Sequence, residues 1–204
     1  MDMELFGIRI STGQKTSIKA TKEGDLYVAQ NLPPYALLTA AGRGWWAQAT
    51  SAAAGTTTIP TTTARGTLWN GYSDKVLIVD RLFANSEAYD AGVNFFFLWV
   101  CVHAKVTTPI DGDIAIHGLR SGDVNYGGRA KFDVDETVNN DGWFSVGNSV
   151  ETKAANAAGM SNIDYKMEGR IVLPPDGQMS LHVGCNDSNP TFQVGCSWYE
   201  VAIA

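Results

Sequence analysis

The sequence predicts an all-β fold, an antiparallel sandwich or barrel, and three observations lead to it. Short runs of β-branched and aromatic residues recur along the chain, separated by turn-forming segments such as NGYSD, NNDG and PPDG. Only 18% of the 204 residues are charged while 21 are glycine, a composition that suits sheets and loops better than surface helices. The strands also follow one another without the intervening helices that βαβ units require.

Each predicted strand is a run of this kind bounded by turn residues. In chain order the predicted strands are residues 25–30, 66–70, 75–83, 93–103, 114–117, 130–134, 143–146, 167–173, 178–185 and 192–201. One helix is predicted near residues 150–162, where alanine is dense. Residues 93–102, VNFFFLWVCV, are apolar on both faces, which is expected of a central strand covered from two sides or buried at a subunit contact.

The last two predicted strands each have one apolar face, because side chains in a strand alternate with a period of two. These faces consist of Met179, Leu181, Val183 and Cys185 in the first strand and of Phe192, Val194, Cys196 and Trp198 in the second. We therefore predict a hairpin with one buried face. Cys101, Cys185 and Cys196 lack the spacing of a disulfide framework, so buried free thiols made in a reducing cytoplasm are expected.

Residues 44–64, GWWAQATSAAAGTTTIPTTTA, contain no charged side chain. Their threonines and Pro60 argue against a helix, and the stretch is too polar to span a membrane. We interpret it as an extended arm that lies against a neighbouring subunit. Trp45 and Trp46 would point to opposite faces of a strand, so something must cover one of them, either a sugar ring or, as we favour, a second subunit. Ile59 and Pro60 are the other predicted contact residues.

The charge balance argues against binding to nucleic acid. The formal net charge is −6, and no run of lysine or arginine occurs, whereas nucleic-acid readers carry basic patches. The N-terminal residues MDMELFGIRISTGQK lack the continuous apolar region of a secretory signal. No run is long enough for a transmembrane helix, so neither a membrane nor a nucleic acid is an expected partner.

No motif for catalysis or for a cofactor is present. The three histidines are far apart in the sequence, without HExxH or a Cys/His cluster, and GxSxG is absent. Asp111 and Asp113, in PIDGDI, are weak candidates for a calcium site. The DGD sequence is, however, also ordinary turn chemistry, in which the aspartate caps its own backbone and glycine supplies a positive φ. The sequence therefore predicts a protein that is not an enzyme and needs no cofactor.

Three segments carry a resemblance to a known family. They are SIKATKEGDLYVAQNLPPYALLTAAGRGWWAQ, then TTTIPTTTARGTLWNGYSDKVLIVDRLFA, and at the C-terminal end EGRIVLPPDGQMSLHVGCNDSNPTFQVGCSWYEV. Their order resembles tailed-bacteriophage virion proteins with a single jelly-roll domain, of the capsid-decoration or head-stabilising type. Residues 104–165 match only by their β-rich character.

The resemblance implies a two-sheet antiparallel jelly roll, assembled as a homotrimer on a capsid. The expected organisation is an N-terminal segment (residues 1–43), an Ala/Thr-rich arm (44–64) and the sandwich (65–204). The implied function is that of a capsid decoration or cement subunit in the virion, made in the host cytoplasm, with the major capsid protein or another virion protein as partner. A receptor- or carbohydrate-binding head of a tail fibre is the alternative, since jelly rolls also serve as lectins.

Overall fold

The structure is a computed structural model that describes residues 6–8, 15–17, 35–88, 92–106, 109–123, 125–153, 162–187 and 189–203. The chain divides into two units, Met1–Ala36 and Leu37–Ala204. In the first unit, β1 (Phe6–Ile8) and β2 (Lys15–Ser17) pair in antiparallel orientation. The strand predicted at residues 25–30 lies outside the described residues, as does most of the predicted N-terminal segment.

A one-turn helix, α1 (Ala36–Ala40), precedes a long series of strands. The described strands are β3 (Gly44–Gln48), β4 (Ala53–Ala54), β5 (Gly66–Asn70), β6 (Lys75–Ala88), β7 (Gly92–His103), β8 (His117–Gly118), β9 (Ala130–Asp133), β10 (Trp143–Lys153), β11 (Asn162–Leu173), β12 (Gln178–Cys185) and β13 (Thr191–Ala202). Most lie where alternating or apolar runs are bounded by turn residues, which confirms the all-β prediction.

The strands form two antiparallel sheets that pack together as a β-sandwich. The five-stranded sheet has the order β10-β7-β12-β5-β9, and the six-stranded sheet has the order β11-β6-β13-β3-β8 with β4 beside β13. The predicted hairpin of the last two strands is wrong, because β12 pairs with β5 and β7 whereas β13 pairs with β3 and β6. A period-two pattern indicates which face is buried and does not identify the neighbouring strand.

The core lies between the two sheets, and the predicted faces of β12 and β13 both point into it. Trp198, Val194 and Cys196 of β13 are fully buried, and Met179 and Leu181 of β12 belong to the same hydrophobic cluster. The predicted faces thus meet across the core and not within one sheet. All three cysteines are buried and free of disulfides, as predicted.

The helix predicted near residues 150–162 is wrong for the part that the structure describes. Strand β10 continues to Lys153 and β11 begins at Asn162, while residues 154–161 lie outside the described residues. Val150 pairs with Phe95 of β7, so strand pairing decides the structure of the described start of this segment.

The uncharged stretch, residues 44–64, packs against its own chain in the structure. Its first five residues are β3, which pairs with β13 inside the six-stranded sheet. Ala53 and Ala54 then form β4 beside β13, and the following residues run along the five-stranded sheet, where Thr56 pairs with Gly184 and Thr63 with Thr137. The carbonyl of Thr61 accepts a hydrogen bond from the indole of Trp143 at 3.0 Å. Backbone contacts of this kind need no charged side chains, which accounts for the composition.

Candidate functional site

Large apolar side chains are exposed on the outer side of the five-stranded sheet, at one end of β7 and β10. Inward-pointing Phe96, Leu98 and Val100 enter the core, and the alternation leaves Phe95 and Phe97 on the outside. The exposed fractions are 44% for Phe95, 38% for Phe97, 57% for Val150 and 61% for Ile59. We call these four residues the apolar face, with Phe95 and Val150 directly opposite each other in the β7–β10 ladder.

A glycine in β12 shapes the floor beside the apolar face. A Cβ atom at Gly184 would lie 2.5 Å from Nε1 of Trp99, so the indole rests directly on the backbone of β12, an approach that only glycine permits. The carbonyl of Thr56 accepts the N–H of Cys185 at 2.8 Å, which holds the Thr-rich crossing above this floor. The result is a hollow of about 300 Å³ between Ile59, Phe97 and Trp99.

The residues that line the hollow are uncharged. Its lining residues are Thr56, Thr57, Thr58, Ile59, Phe97, Trp99, Gly184 and Cys185. The neighbours across the ladder are equally neutral, since Asn148 stands beside Phe97 and Ser145 beside Trp99. In a chain with a net charge of −6, this surface can be covered without burying an unpaired charge, which would be costly. Contiguous exposed apolar surface of this kind marks interaction sites.

Farther along the same sheet, four buried side chains and the exposed Asp141 form what we call the polar cluster, made of Thr67, Cys101, His103, Asp141 and Ser180. His103 Nε2 lies 2.8 Å from Ser180 Oγ, and His103 Nδ1 lies 3.3 Å from Asp141 Oδ2. Thr67 Oγ1 lies 3.1 Å from the same serine oxygen. Sequence reasoning missed this cluster, because its members come from four distant segments without a local motif.

The order serine, histidine, aspartate matches the arrangement of nucleophile, base and orienting group in hydrolases. Ser180 is 0% exposed, however, and its hydroxyl lies between Thr67 and His103. A nucleophile must come within bonding reach of its substrate, and the cover over Ser180 prevents this in the described conformation. The contacts satisfy polar groups buried on the outer side of the sheet, which is a structural role.

We expect the free energy of unfolding to fall as the pH is lowered from about 7 to about 5. Burial lowers the pKa of His103 and of His182, so the unfolded chain takes up protons at a higher pH than the folded chain does. The loss begins near the ordinary histidine pKa of about 6.5 and continues until the folded-state pKa values are reached. Urea denaturation at a series of pH values measures this slope.

His182→Gln should flatten the slope, and His117→Gln, at an exposed histidine, is the matched control and should leave it unchanged. Burial raises the pKa values of Asp80 and Glu136, so these two groups change the free energy of unfolding with pH in the opposite direction to the histidines. Comparing each variant with the wild type removes their contribution from the slope. An identical slope in the wild type and in His182→Gln would contradict the assignment of a neutral buried imidazole.

The structure does not bring the four predicted contact residues together. Trp45 points toward the core, with its ring 4.8 Å from that of Tyr126, while Trp46 lies on the outer side of the six-stranded sheet against His117, ring centres 4.9 Å apart. Ile59 is exposed over the other sheet, and Pro60 beside it is buried. The tryptophan pair is thus split between two faces, as strand geometry requires, and only Ile59 belongs to the apolar face.

Asp111 and Asp113 stand in a turn that a third aspartate caps. Asp133 Oδ2 accepts the N–H of Gly112 at 2.7 Å and that of Asp113 at 3.4 Å, and Gly112 has a φ of 78°. Gly112 thus has the positive φ predicted for the DGD turn, but the capping carboxylate comes from Asp133 in β9 and not from the turn itself. Within the part of the chain that the structure describes, no three His, Cys, Asp or Glu side chains are grouped so that they could hold a metal ion.

Comparison with models of protein families, with curated proteins and with solved structures finds no match for this chain. Among the described residues, the structure contains no helix with the length and apolar character required to cross a bilayer. The inferences below therefore rest on the geometry of the chain itself.

Proposed function

We propose that this chain is a structural subunit of a larger assembly, a jelly-roll virion protein of the capsid-decoration type that associates through the apolar face. The observation that carries the proposal is that face, four exposed apolar side chains of which Ile59 and Phe97 line an uncharged hollow. Assemblies of this kind function through surface burial, and several weak contacts per oligomer become tight together.

The strand order supports the jelly-roll part of the proposal. A jelly roll is a long hairpin of eight strands rolled into two sheets, so the first strand pairs with the last, the second with the seventh, and so on inward. If the short strands β4, β8 and β9 are set aside, the observed pairs are β3–β13, β5–β12, β6–β11 and β7–β10. These are the four pairs that such a rolled hairpin requires.

We further propose that a second copy of the same chain covers the apolar face, as in a homotrimer. Two whole chains repel each other, because each has a net charge of −6. Association therefore favours a neutral, apolar contact, and the apolar face provides one without a lysine or arginine to compensate. A basic partner surface would instead be expected to bind the acidic parts of the chain.

Light scattering on the purified chain tests this proposal. We expect a native mass of three times the chain mass of 21.9 kDa, and we expect Phe97→Asp to shift the mass to that of the single chain, because it places a charge in the contact. Phe144→Asp is the matched control, since Phe144 is as exposed as Phe95 but lies outside the apolar face. A single-chain mass for the wild type at concentrations up to about 100 µM would overturn self-association.

A further inference from the structure

A second concave surface lies on the outer side of the six-stranded sheet, and we call it the sheet groove. Its volume is about 430 Å³, within the range of roughly 300–1,000 Å³ that small-ligand sites occupy. The lining residues are Thr39, Trp46, Asp80, Arg81, Phe83, Leu119, Ser197 and Tyr199. They combine aromatic rings with hydroxyl, carboxylate and guanidinium groups, and none of them belongs to the apolar face.

Aromatic rings form the walls of the sheet groove. Trp46 and Ser197 are direct neighbours in the β3–β13 ladder, and the Tyr199 hydroxyl accepts a hydrogen bond from Thr39 at 3.2 Å. Phe83 lies across Gly195, where a Cβ atom would be 2.4 Å from the ring. Glycine at this position therefore lets the phenyl ring lie on the backbone and leaves a shallow apolar floor.

Both ladders of β6 break at Asp80, which directs this side chain into the sheet groove. Toward β13 the pairing passes from Ser197–Arg81 to Trp198–Val79, and toward β11 it passes from Lys166–Arg81 to Ile171–Val79. Asp80 is the residue of β6 that both shifts leave unpaired. β-Bulges re-aim side chains and are over-represented beside functional sites.

The polar groups of the sheet groove offer both donors and acceptors. Ser197 is 4% exposed, and its hydroxyl is buried without a hydrogen-bond partner among the described residues, a situation that native proteins avoid. The carboxylate of Asp164 accepts hydrogen bonds from Nε and Nη2 of Arg81. These bonds fix the guanidinium, and Nη1 takes no part in them. Asp80 is half-buried, and this burial raises the pKa of its carboxyl group.

We infer that the sheet groove binds a saccharide, with the apolar face of the sugar ring against Trp46 and its hydroxyl groups on Asp80 and Arg81. Sugar hydroxyls donate and accept at once, so they can satisfy a carboxylate and a guanidinium together. A quaternary ammonium ligand fits less well, because it neither donates nor accepts a hydrogen bond and would leave Nη1 of Arg81 without an acceptor. This inference is independent of the proposed assembly role, which uses the other sheet.

Saturation-transfer NMR on the full chain, with a panel of probes, tests the inference. The probes are the methyl glycosides of glucose, galactose, mannose and N-acetylglucosamine, with tetramethylammonium as the alternative ligand. We expect at least one glycoside to bind with a Kd of about 1 mM or better, which suits a single shallow site. Quenching of tryptophan fluorescence on titration provides a second measurement of the same Kd.

Two variants and two matched controls locate the site. Asp80→Asn and Trp46→Ala should each weaken binding about tenfold or more, while Asp74→Asn, at an exposed aspartate, and Phe144→Ala, at an exposed ring, should bind as the wild type does. Circular dichroism checks that each variant is folded, and Asp80→Asn keeps the test decisive if Trp46→Ala unfolds. The inference is overturned if no glycoside binds, if only tetramethylammonium binds, or if both site variants bind normally.

Discussion

Replacing Asn70 with aspartate is expected to lower the free energy of unfolding by about 3 kcal/mol or more. Asn70 is fully buried at the end of β5. Its Nδ2 donates to the carbonyls of Lys75 and Leu173, both at 2.9 Å, and its Oδ1 accepts the N–H of Tyr72 at 3.0 Å. A single amide therefore joins the turn after β5 to the end of β11, which lies in the other sheet.

Aspartate has nearly the same shape as asparagine but lacks both donors. Asn70→Asp would place a carboxylate against two carbonyl oxygens, which leaves buried acceptors without partners and a charge out of water. Urea denaturation of the variant and of Asn140→Asp, at an exposed position, measures the difference. A loss below about 1 kcal/mol, the average for a point mutant, would show that this side chain does not connect the two sheets.

Glu200→Ala is expected to cost about 2–3 kcal/mol, because it breaks a buried network. Glu200 Oε1 accepts the hydroxyl of Tyr126 at 2.6 Å, and Oε2 accepts Lys75 Nζ at 3.0 Å. The Tyr126 hydroxyl in turn accepts the N–H of Ala130 at 2.9 Å. The expected loss is smaller than for a fully buried ion pair, because the Lys75 side chain is 33% exposed and can reach water.

A double-mutant cycle separates the contact between Glu200 and Tyr126 from the other effects of each change. Burial, and then the hydrogen bond with Glu200, raises the pKa of Tyr126. Glu200→Ala and Tyr126→Phe should therefore be less than additive in urea denaturation, with Glu87→Ala, at an exposed glutamate, as the matched control. Simple additivity of the two changes would contradict a shared network.

Much of the fold could be predicted from local patterns, because period-two alternation and turn residues directly report strand positions. Residues 66–70 and 178–185 were predicted with the bounds that β5 and β12 have. The error in pairing β12 with β13 arises because alternation fixes only the buried face. Which sheet a strand joins is decided by long-range packing, and alternation within the strand does not report it.

Less of the candidate sites could be predicted. Ile59 belongs to the apolar face, but Phe95, Phe97 and Val150 resemble core residues in the sequence, since a strand apolar on both faces looks the same whether its second face is buried or exposed. Trp46 was predicted from strand geometry as a contact residue, for a second subunit in preference to a sugar ring. Asp80 was not, because the bulge that aims it depends on two neighbouring strands and leaves no local signal.

The three thiols lie in different parts of the sandwich, so the reactivity of each reports the opening of a different region of the structure. Cys196 is in the core between the sheets, Cys101 lies against His103, 3.6 Å away, and Cys185 lies next to the crossing of Thr56. Burial raises the pKa of each thiol, so the reactive thiolate forms only when the surrounding structure separates. Alkylation at Cys101 therefore reports a local opening on the outer side of the five-stranded sheet, and alkylation at Cys196 reports separation of the two sheets.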